Sequence, residues 1–205
     1  MGAGSGTRAV TDTFDPLSDL FVAQLARPTQ LGAVNLRALT PFQRALLVID
    51  GTVTKFIEAY TLEPVQTVHL GQEKRALASD QPWLEASAGT TVLARRVYLE
   101  GRYTRTVYAY AVSLVVPDRL PEAARDSLQD DAGSLGRILL SAQLETRREV
   151  LWYGREQLAD VPHPIQGLNG APAISRTYRI ISRGRPLMLI NEKFPSSPDR
   201  LPSRD

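Results

Sequence analysis

The chain has 205 residues with 24 Lys+Arg against 22 Asp+Glu, a net charge of only +2. At 43% hydrophobic and 22% charged it has the composition of one globular domain with a full core, which excludes a wholly disordered chain; the small cationic excess is no nucleic-acid footprint, which needs clustered charge. It contains no cysteine, which excludes disulfides, thiol nucleophiles and thiolate metal sites, and its two histidines, His69 and His163, are too few for a His-rich metal centre.

Residues 1–30 mix Gly, Ser, Thr, Asp and Pro without a sustained period and read as a loose arm with a helical turn around Leu17 to Leu25. The opening MGAGSGTRAV has no apolar h-region, and no apolar run approaches the roughly 18 residues of a membrane span, so a cytoplasmic protein is expected. Thr40-Pro41 is an N-cap followed by a residue suited to the first helical position, which predicts a buried helix through FQRALLVID. Asp50-Gly51 interrupts it, and Thr52 caps a second helix with Val53, Phe56, Ile57 and Tyr60 on one face.

PVQTVHL, residues 64–70, reads as a strand, and residues 71–90 as a polar loop. TVLARRVYLEGRYTRTVYAYAVSLVVP is β-rich on both sides of Glu100-Gly101-Arg102 and predicts an antiparallel hairpin. Leu120 to Asp130 is an amphipathic helix, and Ser134 caps another through LGRILLS. Thr146 to Tyr153 reads as a strand, residues 158–173 as a long loop, and ISRTYRIISRGRPLMLINEKF as a second hairpin turning at Ser182-Arg183-Gly184-Arg185. Residues 196–205 read as a frayed tail. Strands arriving in hairpin pairs predict an α+β fold with an antiparallel sheet in one domain over residues 31–195.

Strand parity singles out two charges. Met188, Ile190, Glu192 and Phe194 share one face, and Leu93, Arg95, Val97 and Leu99 share another. Each set is apolar but for one charged member, and the signs are opposite. A bare charge on a buried face costs several kcal/mol, so each needs a partner. Three readings stand: a structural Arg95–Glu192 ion pair; two groups held apart across a pocket that admits an anion; or a different register that puts one or both in solvent. In the second, the guanidinium takes a carboxylate bidentately and the carboxylate faces a hydroxyl or an acidic C–H. Arg176 and Arg179 are further anion clamps or solvated strand arginines, and Leu135-Gly136 opens a helix whose amides can meet a carboxylate. GRYTR and SRGR are hairpin turns rather than phosphate loops, and Trp83 and Trp152 read as packing residues.

In order and spacing, LTPFQRALLVIDGTVTKFIEAY, VLARRVYLEG, YAVSLVVPDRLP, GSLGRILLSAQLETRREV and SRTYRIISRGRPLMLINEKFP resemble the chorismate pyruvate-lyase (4-hydroxybenzoate synthase) family over roughly residues 40–195. The likeness is to its longer mycobacterial and cyanobacterial members. It implies a twisted antiparallel sheet with helical flaps over a buried site, and elimination of pyruvate from chorismate to give 4-hydroxybenzoate. No organic cofactor or metal is implied, and the chain would act as a monomer or homodimer with small molecules as its only partners. Arg95 in RRVYL corresponds to the arginine that holds the ring carboxylate, with backbone help at Leu135 and Val53, and Glu192 in INEKFP to the glutamate facing the ring hydroxyl. Ser113 stands where the short enterobacterial members carry a second arginine, so the cation for the enolpyruvyl carboxylate is expected from Arg179 or Arg176. The product suits quinone head groups or phenolic lipids. Ligand-sensing domains of some GntR-type regulators also resemble this fold and would bind an aromatic acid without turnover, although such regulators add an N-terminal winged-helix domain.

Overall fold

The computed structural model describes residues 14–129 and 135–196. The first thirteen residues of the expected arm, the Ser134 cap and the tail beyond Ser196 lie outside the described residues. Thr40 Oγ1 accepts from the Gln43 amide at 3.2 Å, and Gln43 Oε1 accepts from the Thr40 amide at 2.9 Å. This reciprocal cap starts α1 (Pro41–Val48). After Asp50-Gly51-Thr52 comes α2 (Val53–Thr61), which buries Val53 and Ile57. Tyr60, expected on that buried face, is 61% exposed, and its ring lies 4.3 Å from Phe42. The helix ends at Leu62 in the left-handed conformation, and Glu63-Pro64 leads into the sheet.

The strands are β1 (Val65–Ala76), β2 (Thr91–Gly101), β3 (Val107–Val115), β4 (Arg147–Gln157), β5 (Pro172–Ser182) and β6 (Arg185–Pro195). They form one antiparallel sheet in the order β1-β2-β3-β6-β5-β4. The β3-to-β4 connection carries α3 (Glu122–Gln129) and α4 (Leu135–Ser141). β1 runs six residues beyond the predicted strand end, past a bulge between His69 and Gly71. Its second half, Glu73-Lys74-Arg75, is charged and exposed, which is edge-strand chemistry that reads as loop in a sequence.

One sheet face meets the helices in two apolar clusters. Leu93, Val115, Ile180 and Met188 pack against Ala124, Leu128, Ile138 and Leu139 of α3 and α4. Leu99, Ala109, Ile174 and Phe194 pack against Leu46, Leu47, Val53 and Ile57 of α1 and α2. The opposite face is covered by loop residues such as Leu84, Ile165 and Leu168. Residues 14–31 are not loose as expected. Leu17, Phe21, Ala23 and Leu31 are buried, and the amides of Val22 and Ala23 donate to Val150 and Leu151 of β4 at 3.0 Å.

Glu63 fastens the β2–β3 hairpin. Its carboxylate accepts from the amides of Tyr103 and Thr104 (both 3.1 Å), the Thr104 hydroxyl (2.8 Å) and the Tyr108 phenol (2.7 Å). A Cβ on Gly101 would run into this carboxylate, so a larger residue there would push Glu63 off its donors. Burial pushes the Glu63 carboxyl up, but the Tyr108, Thr104 and Tyr103 donors together outweigh it and hold it below the usual range. A lowered folded value stabilises above the ordinary 4.5 and loses that contribution as pH falls through the folded value. Glu63→Gln should therefore unfold in urea with a deficit of roughly 1–3 kcal/mol at neutral pH. The gap should close as pH drops below 4.5; a gap independent of pH would mean the charge is not the active feature.

Candidate active site

Between its two apolar clusters the helix-facing side of the sheet changes character. One row of paired residues runs Arg95–Ser113–Ile190–Tyr178 across β2, β3, β6 and β5. The next runs Val97–Ala111–Glu192–Arg176. Arg95 and Glu192 therefore flank β3, their backbones about 12 Å apart for two strand spacings and a two-residue offset. The β3 residues between them are Ala109, Ala111 and Ser113, too short to fill the space above the sheet. The resulting cavity of ≈ 90 Å³ is several times the roughly 15 Å³ one ordered water needs. Its walls are Val97, Leu99 and Ile190; Gly51, Thr52, Val53 and Thr54 at the start of α2 and Leu135 and Gly136 of α4 close it from above.

Arg95, Glu192, Val53 and Leu135, four of the residues singled out in the sequence, line this one cavity. Arg95 is 2% exposed, and its Nη2 lies 3.3 Å from His69 Nδ1, a contact the sequence did not suggest. The predicted alternative of an Arg95–Glu192 ion pair is corrected. Glu192 pairs with Arg176, whose Nε donates to Oε2 at 2.9 Å, and Oε1 accepts from the Tyr178 hydroxyl at 3.0 Å. Burial and then the Glu192 charge push the Tyr178 phenol far above the usual tyrosine range, against the pull of Arg176 and Arg148, so it remains a neutral donor.

Arg176 and Arg179 are not where a second anion clamp was expected. Arg176 is 1% exposed and sits behind Glu192, with Nη1 donating to the carbonyls of Ile49 (2.8 Å) and Leu47 (3.3 Å) at the end of α1. Arg179 has the opposite parity to Tyr178 and projects from the other face. There it binds Glu149 at 2.6 Å, with its guanidinium 6.0 Å from the Trp83 ring, and Trp83 packs edge-on against Trp152. The charged residue the sequence reading missed is Arg148 on β4, which lines the cavity. A signal existed: Arg148 pairs with Ile180 and Val150 with Tyr178, so both lie on the site face. The bulge between Val150 and Trp152 breaks the alternation within VLW and hides it. Among the described residues, the charged lining is Arg95, Arg148 and Glu192, with the last answered by Arg176.

An antiparallel sheet roofed by helices puts the protein in the α+β fold class that a bacterial effector domain also adopts. The effector domain of PhnF from Mycobacterium smegmatis superposes with a TM-score of 0.55 at 12% identity, over 71% of this chain and 88% of that one. The longer PhnF crystal structure gives 0.56 at 11% identity, with 72% of this chain covering 65% of that one. Within that class the chain belongs to the Rv2949c-like chorismate pyruvate-lyase family, whose pattern matches residues 47–201. It is 29% identical over 173 residues to the chorismate pyruvate-lyase of Mycobacterium tuberculosis H37Rv, covering 78% of this chain and 82% of that protein. It is 28% identical over 170 residues to that of Mycobacterium leprae, covering 80% and 79%. Among the described residues, no three of His, Asp and Glu gather as a metal site, and no helix is long and apolar enough to cross a membrane.

The Arg176–Glu192 pair makes a stability prediction. Arg176→Met leaves a buried carboxylate uncompensated and should cost about 3–5 kcal/mol in urea denaturation. Adding Glu192→Leu to Arg176→Met should recover most of that loss, because the stranded charge is gone. A double variant no more stable than the single would show that Arg176 acts through its contacts to α1 instead.

Proposed function

We propose that the protein is a chorismate pyruvate-lyase, converting chorismate to 4-hydroxybenzoate and pyruvate in this cavity. The observation that carries the reading is the placement of Arg95 and Glu192 on either side of the small-residue floor of β3, in a chain of this family. A planar ring with a carboxylate at one end and a hydroxyl at the other spans that floor. Arg95 takes the ring carboxylate through its forked donors, beside the backbone of Leu135 and Val53. Glu192 faces the 4-hydroxyl. Each carboxylate oxygen accepts more than one hydrogen bond, so the Arg176 and Tyr178 contacts leave capacity for the substrate.

The chemistry is an elimination. The proton on C4 departs, the electron pair of that C–H bond becomes ring π density, and the C3–O bond breaks. The enolpyruvate released takes up a proton to become pyruvate. Aromatisation supplies the driving force, so the protein contributes positioning, exclusion of water and electrostatics. Glu192, held by Arg176 and Tyr178, orients the hydroxyl and assists removal of the adjacent C4 proton. The apolar walls keep the Arg95 contact strong by limiting competing water.

Purified protein incubated with chorismate should release equal amounts of 4-hydroxybenzoate and pyruvate in a coupled assay. Arg95→Ala should lower kcat/KM at least tenfold, the scale of a lost hydrogen bond to a charged group. Binding of chorismate without pyruvate release would replace the lyase reading with that of a non-catalytic aromatic-acid binder, the role suggested by the likeness to an effector domain. A second variant tests the cavity itself. Ala111→Leu fills the floor and should abolish 4-hydroxybenzoate binding by calorimetry while leaving the thermal midpoint within a few degrees. Undiminished binding would put the ligand elsewhere.

A further inference from the structure

Chorismate carries two carboxylates, and Arg95 accounts for one. We propose that Arg148 receives the other, on the enolpyruvyl arm, at a neck between the inner cavity and an outer pocket; this rests on the chorismate reading. The order of groups across the sheet carries the inference. Arg95 is on β2, Glu192 on β6, Tyr178 on β5 and Arg148 on β4, so the four lie in sequence along one traverse of the sheet. A ring with C1 at Arg95 and C4 at Glu192 has its C3 substituent beside Glu192, free to extend past Tyr178. Arg148 stands at that end, with its guanidinium 5.7 Å from the Tyr178 ring centroid.

The surroundings of Arg148 fit this role. It lines the inner cavity and also an adjoining outer pocket of ≈ 420 Å³, and the two share Gly51, Thr52 and Gly136. Its Nε is buried and makes no hydrogen bond among the described residues. Its ion pair is a 3.7 Å contact to Asp50, a side chain 81% exposed, so that contact is screened by solvent and readily exchanged for a ligand carboxylate. Among the described residues, the other basic side chains nearby are committed. Arg176 holds Glu192 and two carbonyls, Arg179 is on the far face with Glu149, and Arg147 is exposed and bound to Glu149. Ser113, directly opposite Arg95 on β3, is neutral and short. With Glu192 answered by Arg176, the lining brings two guanidiniums to a dianion. After C3–O cleavage the product keeps only the ring carboxylate, so Arg148 discriminates substrate from product, and pyruvate leaves by the outer pocket.

The test compares Arg148→Gln with the unmodified chain using three probes: chorismate turnover, binding of 4-hydroxybenzoate, and binding of 3-(carboxymethoxy)-4-hydroxybenzoate, a stable aromatic with an ether-linked second carboxylate. The expected result is a rise of at least about tenfold in KM for chorismate and in Kd for the dicarboxylate, the scale of one lost charge-assisted contact. Affinity for 4-hydroxybenzoate should stay within threefold, which also shows that the variant is folded, and Arg148→Lys should recover part of the loss. Equal weakening of both aromatic acids would overturn the proposal, since Arg148 would then only shape the cavity, and so would no change in either. If the unmodified chain binds the dicarboxylate through Arg148 but does not split chorismate, the lyase reading fails while the anion subsite stands. If it splits chorismate and Arg148→Gln does so equally well, the subsite fails while the lyase reading stands.

Discussion

The buried pair between Arg176 and Glu192 is the constraint around which the site is organised. It joins β5 to β6 in register, reaches the carbonyls that end α1, and orients the carboxylate with help from a phenol that stays protonated. A lone buried carboxylate under α1 and α2 would be costly. Answered by a guanidinium from behind, it still presents oxygen to the cavity. The same contact answers Glu192 within the wall, while two further guanidiniums, Arg95 and Arg148, line the space before it.

Much of this was legible in the sequence because strand parity is a strict rule. Arg95 and Glu192 each break an apolar face at a definite register position, and both face the helices between the two apolar clusters. The Thr40-Pro41 cap and both hairpins could likewise be read from local chemistry. What parity cannot supply is which of several strands lie side by side. Arg176 is the partner of Glu192 only because β5 and β6 pair with those residues opposite each other, and Arg95 is held away because β3 comes between. Arg179 is three residues from Arg176, an odd separation on a strand, and so belongs to the other face. The bulge at Leu151 shifts the alternation on β4 and conceals Arg148. Residues 14–31 looked loose because their apolar side chains follow no single period; they are ordered by tertiary contacts, with Leu17 and Phe21 buried among sheet and helix side chains.

The likeness to the PhnF effector domain at 12% identity shows how little of this fold is tied to one chemistry. The scaffold supplies an open concavity wherever a central strand turns small residues toward the helices. Function then depends on which few charged side chains reach that space. Here the short β3 residues make the space, the apolar clusters bound it at either end, and Arg95, Arg148 and Glu192 are the charged groups that reach it among the described residues.

The segment laid along β4 has a consequence for the molecule as a colloid. By hydrogen-bonding Val22, Ala23 and Gly32 to Val150, Leu151 and Arg155, it occupies one margin of the sheet, where a stray β-segment could otherwise graft itself. At the other margin the exposed Glu73, Lys74 and Arg75 of β1 do the corresponding task by charge, since a chain docking there would have to desolvate them. The twelve-residue edge strand β1 thus carries its own guard against strand addition.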